Sequence, residues 1–152
     1  MSDSTTRILD MARRRATARD AQRITSLQSP AVAEALGVAI AATLQNAAAE
    51  IVVVWDQIET GVLGHVVARE LQTDLIYAYS VEGSLGFSAE LFPGSRAVLV
   101  SYDWTESHGL DAIIRFTQSS GAAVTAISSV LETAEARMHP KITTHALSSP
   151  LP

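Results

Sequence analysis

The sequence predicts an α/β fold of three layers, a mostly parallel sheet with helices on both faces. Three observations carry this. Short apolar runs such as Ile51-Val52-Val53-Val54-Trp55 lack polar alternation, the pattern of strands covered on both sides. Segments with helical spacing separate these runs, and strands alternating with helices of about a dozen residues specify parallel pairing through right-handed crossovers. Polar stretches follow the first and third runs, where a parallel sheet places its ligand-binding loops.

The chain has 152 residues, a single-domain length, and 47% of them are hydrophobic, enough for one core. We divide it into an N-terminal helical segment (1–28), an α/β domain (29–132) and a C-terminal tail (133–152). Residues 4–23 are helix-compatible, with Ile8, Met11 and Ala12 on one face and Arg13, Arg14, Arg15, Arg19 and Arg23 around the rest. This run reads either as an anion- or partner-binding helix or as a solvated amphipathic face. Ser29 and Pro30 read as a cap and first turn, opening an Ala-rich helix over 31–49 whose small side chains favour close packing.

After the first strand, residues 56–60 are expected to form a loop. Gly61 then opens a helix that carries Val62, Leu63, Val66, Val67 and Leu71 at helical spacing. A second strand follows over 74–79. Residues 81–95 hold three glycines and one proline, and read as a long loop or a loose hairpin around 85–88. Residues 97–101 form the third strand, 102–108 a polar loop, 109–119 a helix punctuated by Gly121, and 123–131 the fourth strand. No strong pattern marks the tail.

Eleven Lys and Arg against sixteen Asp and Glu give a formal charge of −5, which argues against nucleic-acid binding. With no cysteine, disulfide frameworks, thiolate metal sites and thiol nucleophiles are excluded. Apolar runs fall well short of the roughly 20 residues of a membrane helix and the polar start lacks a signal-peptide core, so no membrane partner and a cytoplasmic location are expected. Neither a nucleophile elbow nor a Walker lysine motif occurs. Glu59-Thr60-Gly61-Val62-Leu63-Gly64 lacks the G-x-G pair of a dinucleotide fingerprint.

Two loops are left to carry chemistry. In Tyr102-Asp103-Trp104-Thr105-Glu106-Ser107-His108-Gly109 the chain leaves a buried strand and enters a helix, so backbone N–H groups from Thr105 to Gly109 can converge on a phosphate. Thr105 and Ser107 add hydroxyls, Asp103 can accept from sugar hydroxyls, and His108 can donate to phosphate or act as acid or base near neutral pH. The plainer alternative makes Ser107 a helix cap and Asp103 an exposed acid. Asp56 and Glu59 in the first loop suit a hydrated Mg²⁺ or an activated water, or else Glu59 and Thr60 only start a helix. His65 reads as a packed or surface residue, and His139 and His145 lack the spacing of a zinc site.

The stretch from Ala97 through Ser101 and Tyr102-Asp103 to Gly109 resembles the ribose-phosphate loop of type I phosphoribosyltransferases, especially the orotate branch. The family pattern is four apolar residues, two acids, two apolar residues, then Thr or Ser and Gly. Residues 51–71, with Glu59-Thr60-Gly61, are similar to the family's strand, pyrophosphate loop and helix, and the likeness spans about 31–132. It implies that Asp103 binds a ribose hydroxyl, that Thr105, Glu106, Ser107, His108 and Gly109 surround the 5-phosphate, and that Asp56, Glu59, Thr60 and Gly61 form the pyrophosphate loop.

It further implies Mg²⁺, a homodimer and a ribosyl phosphate ligand, either phosphoribosyl pyrophosphate or a nucleoside monophosphate. The implied activity is phosphoribosyl transfer to a nucleobase such as orotate, with Asp103 and His108 as catalytic candidates. The alternative is a binding or regulatory module that kept the fold without the reaction. Tyr102 stands where the pattern has its first acid, and residues 81–95 contain no Lys or Arg to meet a pyrophosphate. Glu106 must face away from any phosphate, because like charges ~4 Å apart cost roughly 4 kcal/mol at an effective dielectric of about 20.

Overall fold

The structure is a computed structural model that describes residues 6–7, 29–105 and 109–148. Its elements are α1 (Pro30–Leu44), a 3-10 turn (Gln45–Ala47), β1 (Ile51–Trp55), α2 (Ile58–Leu71), β2 (Asp74–Val81), β3 (Ser84–Phe87), β4 (Arg96–Ser101), α3 (Leu110–Ser119), β5 (Ala123–Leu131), α4 (Ala134–Arg137) and β6 (Thr143–Ser148). Apart from residues 6 and 7, which are helical, the N-terminal segment lies outside the described residues.

Six strands form one sheet in the order β3-β2-β1-β4-β5-β6. All neighbours run parallel except β2 and β3. The order reverses at β1, since the chain passes from β1 outward to β2 on one side and returns to β4 on the other. That reversal opens a crevice at the carboxyl ends of β1 and β4.

Each central strand is buried on both faces, which is why the apolar runs do not alternate. Val52, Val54, Val98 and Val100 pack with Leu36, Ile40 and Leu44 of α1 and Leu63 and Val67 of α2. Ile51, Val53, Leu99 and Ile127 face the other way, against Leu110, Ile113 and Ile114 of α3. Small residues set the spacing of the first layer. A Cβ on Gly37 would stand 2.4 Å from a Val66 methyl, and one on Gly64 2.6 Å from a Val54 methyl, so neither position has room for a side chain.

Ser29 occupies the N-cap of α1 as expected, but its side chain makes no cap bond. Its carbonyl accepts from the N–H groups of Val32 and Ala33, and Pro30 removes one of the donors a cap would satisfy. The helix ends at Leu44, earlier than expected, and the chain leaves its 3-10 turn through Ala48 at φ 49°. Arg96 fastens this exit, its Nε donating to Ala48 O at 2.6 Å while Glu50 Oε2 accepts from the Arg96 N–H at 2.9 Å.

Residues 81–95 begin with a hairpin, but a tight one whose turn lies before the expected 85–88, residues 84–87 forming β3. Glu82 and Gly83 alone join β2 to β3, with φ of 49° and 81°, the positive values that a two-residue type I′ turn demands. Gly83 meets the demand without strain; Glu82 follows it against its preference. The tail, expected to be patternless, supplies α4 and then β6, which pairs in parallel with β5. Among the described residues no helix is long and apolar enough to cross a membrane.

Candidate functional site

β1 and β4 are neighbours in the sheet, so the two loops singled out from the sequence come together at one edge. Contact between them is direct: the Trp55 ring at the end of β1 lies 3.5 Å from where a Gly109 Cβ would stand.

The first connection is shorter than the expected 56–60 loop. α2 begins at Ile58, leaving only Asp56 and Gln57 between strand and helix. The backbone explains this. Asp56 N–H donates to Ala78 O, extending the pairing with β2, and Gln57 N–H turns back to Trp55 O, both at 2.8 Å. Thr60 then reaches back from the first turn. Its buried hydroxyl lies 2.7 Å from Trp55 O and 3.1 Å from Gln57 O, so Thr60 closes the turn instead of facing a ligand. Glu59 sits half-buried in the first helical turn, where a carboxylate favours the helix dipole, and Asp56 is exposed. Gly61 lies inside the helix against the ring of Tyr77, which a Cβ would approach to 3.2 Å.

The second connection is held by its aromatics. Tyr102 is buried in the α1–α2 layer and its carbonyl accepts from Leu131 N–H at 2.8 Å, while Trp104 is fully buried in the α3 layer with its indole N–H 3.4 Å from Ser128 O. Residues two apart in a strand share a face, so the burial of Tyr102 and Trp104 in opposite layers marks where the chain leaves the path of β4. Asp103, between the two, is half-buried at the mouth of the crevice, as is Thr105. Glu106, Ser107 and His108 lie outside the described residues.

Gly109 ends the loop at φ 53° as the N-cap of α3, a conformation that favours glycine, and brings no capping side chain of its own. A helix N-terminus presents backbone N–H groups that suit an anion. Asp111, the acid of that first turn, is held by Arg115.

Among the described residues, the two connections at the crevice carry no Lys or Arg. Arg69 pairs with Glu34 and Glu70, Arg96 with Glu50, Arg115 with Asp111 and Arg137 with Glu132. The Arg69 guanidinium holds the Glu34 carboxyl below its ordinary value, chiefly by hydrogen bonding. Among the described residues there is no cluster of three or more His, Asp or Glu side chains that could hold a metal ion by themselves.

Sequence reasoning missed a groove beside the first connection. About 610 Å³ of space lies between α2 and β2, bounded by Asp56, Gln57, Ile58, Val62, His65, Val66 and Tyr77. Val62 and Val66 of its lining were read as part of a core-facing helix and Ile58 as part of the loop before it; Tyr77 enters from a strand distant in sequence.

Similar solved structures are phosphoribosyltransferases. Orotate phosphoribosyltransferase of Mycobacterium tuberculosis H37Rv, solved with inorganic phosphate, matches with a TM-score of 0.73 at 11% identity, over 98% of this chain and 90% of that one. Adenine phosphoribosyltransferase of Thermoanaerobacter pseudethanolicus gives 0.67 at 14% identity, over 81% and 83% of the two chains. UMP synthase of Leishmania donovani gives 0.63 at 16% identity, over 81% of this chain but 27% of that much longer one. No protein-family model matches the chain, and no curated protein does. The chain has the type I phosphoribosyltransferase fold.

Proposed function

We propose that the protein binds a ribosyl phosphate, phosphoribosyl pyrophosphate or a nucleoside monophosphate, in the crevice at the carboxyl ends of β1 and β4. One observation carries the reading: the glycine-led N-terminus of α3 ends the connection that holds Asp103, at the point where the strand order reverses. The phosphate takes the N–H groups of the 105–109 loop and a ribose hydroxyl donates to Asp103. Phosphoribosyltransferases of the same fold support this choice of ligand.

Mg²⁺ fits the donor set only in its usual hydrated form, bound by one or two carboxylates together with ligand phosphates. Asp103 and Asp56, hard oxygen donors at adjacent strand ends, would hold it, and it would neutralise phosphate charge. The chain's own contribution is to orient the ribose through Asp103 and to fix the phosphate on backbone N–H groups.

The finer proposal is phosphoribosyl transfer, in which a nucleobase nitrogen bonds to the ribosyl C1 as the bond from C1 to pyrophosphate breaks. His108 would serve as acid or base on the basis of sequence alone. A binding module without transfer is the second reading. It is favoured by the tight Glu82-Gly83 turn, which leaves no long loop between β2 and β3 to close over the crevice, and by the pairing of Arg69, Arg96, Arg115 and Arg137 elsewhere. A homodimer and a cytoplasmic setting belong to the proposal, and sedimentation at micromolar concentration tests the first.

Calorimetric titration with phosphoribosyl pyrophosphate plus Mg²⁺, and with nucleoside monophosphates, decides between the readings. Replacing Asp103 by Asn should weaken binding about tenfold, the scale of one hydrogen bond between a charged and a neutral group. Pyrophosphate release with a nucleobase supports transfer; monophosphate binding without release supports the module. Absence of binding by either ligand class overturns the proposal.

A further inference from the structure

The exposed large apolar side chains are unevenly spread. Of seven among the described residues, Ile58 (74% exposed), Val81 (61%), Tyr79 (38%) and Val62 (36%) share one surface. Ile58 and Val62 are one turn apart on α2, and Tyr79 and Val81 follow Leu75 and Tyr77 at alternate positions of β2, so all four β2 side chains stand on the α1–α2 side of the sheet. Tyr79 extends the surface over β3, since its ring crosses Gly86, where a Cβ would lie 2.6 Å from it. The groove between α2 and β2 runs through this surface, and its lining includes Asp56 and His65 but neither Lys nor Arg.

We propose that this groove is the docking site of the arginine-rich segment, residues 4–23. Its chemistry is complementary. Residues 1–28 hold six arginines against three aspartates, a charge of +3, whereas residues 29–152 hold five cations against thirteen acids, −8. Ile8, Met11 and Ala12 recur at helical spacing as a short apolar stripe, the pattern of a helix laid into a groove, and arginines flank the stripe. Asp56 lines the groove and Glu59 lies in the first turn of α2, next to Ile58, acids that arginines of the segment could pair with.

The tether also suits. The segment joins the domain at Ser29, the N-cap of α1, and Gly37 of α1 packs on Val66, which lines the groove on its other side. Docking brings guanidinium groups to the cation-poor edge of the crevice, but it needs no ligand and stands apart from the ligand reading.

The chain has no cysteine, so introduced thiols are the only ones present. Met11→Cys paired with Val62→Cys, and separately with Ile58→Cys, is oxidised at low ionic strength beside a Met11→Cys, Phe92→Cys control on the exposed 88–95 loop. Groove pairs should cross-link about tenfold faster than the control, as a raised effective concentration dictates. Exchanging Arg13, Arg14 and Arg15 for Glu should abolish that lead. A single-chain product or a dimer supports docking of the segment, by its own copy or another's. Equal rates for groove and control pairs overturn the proposal. So does a Val62→Cys single variant that forms dimers as fast as the pair, because the same face of a second copy then fills the groove.

Discussion

Between β1 and α2 the chain takes two residues, and between β4 and α3 it takes eight, although both connections turn a buried strand into a helix at the same edge of the sheet. The short one satisfies itself: its backbone folds back on Trp55 and Ala78, and the Thr60 hydroxyl closes it from inside the helix. The long one is held by two aromatic side chains sunk into opposite layers, with Asp103 half-buried between them and a glycine at the N-cap of α3. A connection that spends its polar groups on itself has little left for a ligand, whereas one fixed by apolar anchors depends less on its polar groups for its own shape.

The sharpest test of this contrast is Trp104→Ala. Removing a fully buried indole empties the anchor of the second connection and should cost about 3–5 kcal/mol in denaturant unfolding. A loss below 1 kcal/mol, on the scale of an ordinary surface change, would mean that the loop is held some other way. Thr60→Val probes the first connection. Trp55 O and Gln57 O each keep a backbone donor, from Gln57 and Gly61, so the loss should be only about 1 kcal/mol, with no change in ligand affinity. A fall in affinity at unchanged stability would return Thr60 to the ligand.

Glu34→Gln lies outside both connections and should have the smallest effect. The carboxyl is held below its ordinary value by Arg69 at the surface. Its contribution is therefore present at neutral pH and fades as pH falls through the lowered value. Thermal scans of wild type and variant should differ slightly at pH 7 and converge in acid; divergence in acid would reverse the sign.

The apolar strands were legible because burial on both faces leaves an unbroken run, as in Ile51-Val52-Val53-Val54, and α3 because Leu110, Ile113 and Ile114 mark one stripe. β6 was not, since Thr143-Thr144-His145-Ala146-Leu147-Ser148 is an edge strand that buries Leu147 and carries no apolar run. Polar residues at the head of α2 hid its start, because Glu59 and Thr60 suit a loop as well as a first turn. At the candidate site, the placement of Asp103 and Gly109 between a buried strand and a helix was readable from the sequence. The inward turn of Tyr102 and Trp104 was not, because it depends on which layer has room, and neither was the groove, whose walls come from distant parts of the chain.

The Glu82-Gly83 turn bears finally on the order of folding. Among the described residues β2 and β3 are the only strands that pair through a local two-residue turn, and hairpins close in about 1–10 μs. Pairing β1 with β4 must instead wait for α2, the hairpin and the 88–95 segment to be gathered between them, a closure entropy that neither strand can lower alone. The crevice between β1 and β4 therefore belongs to a late step of assembly, and chains halted before it would hold a formed hairpin and no binding site.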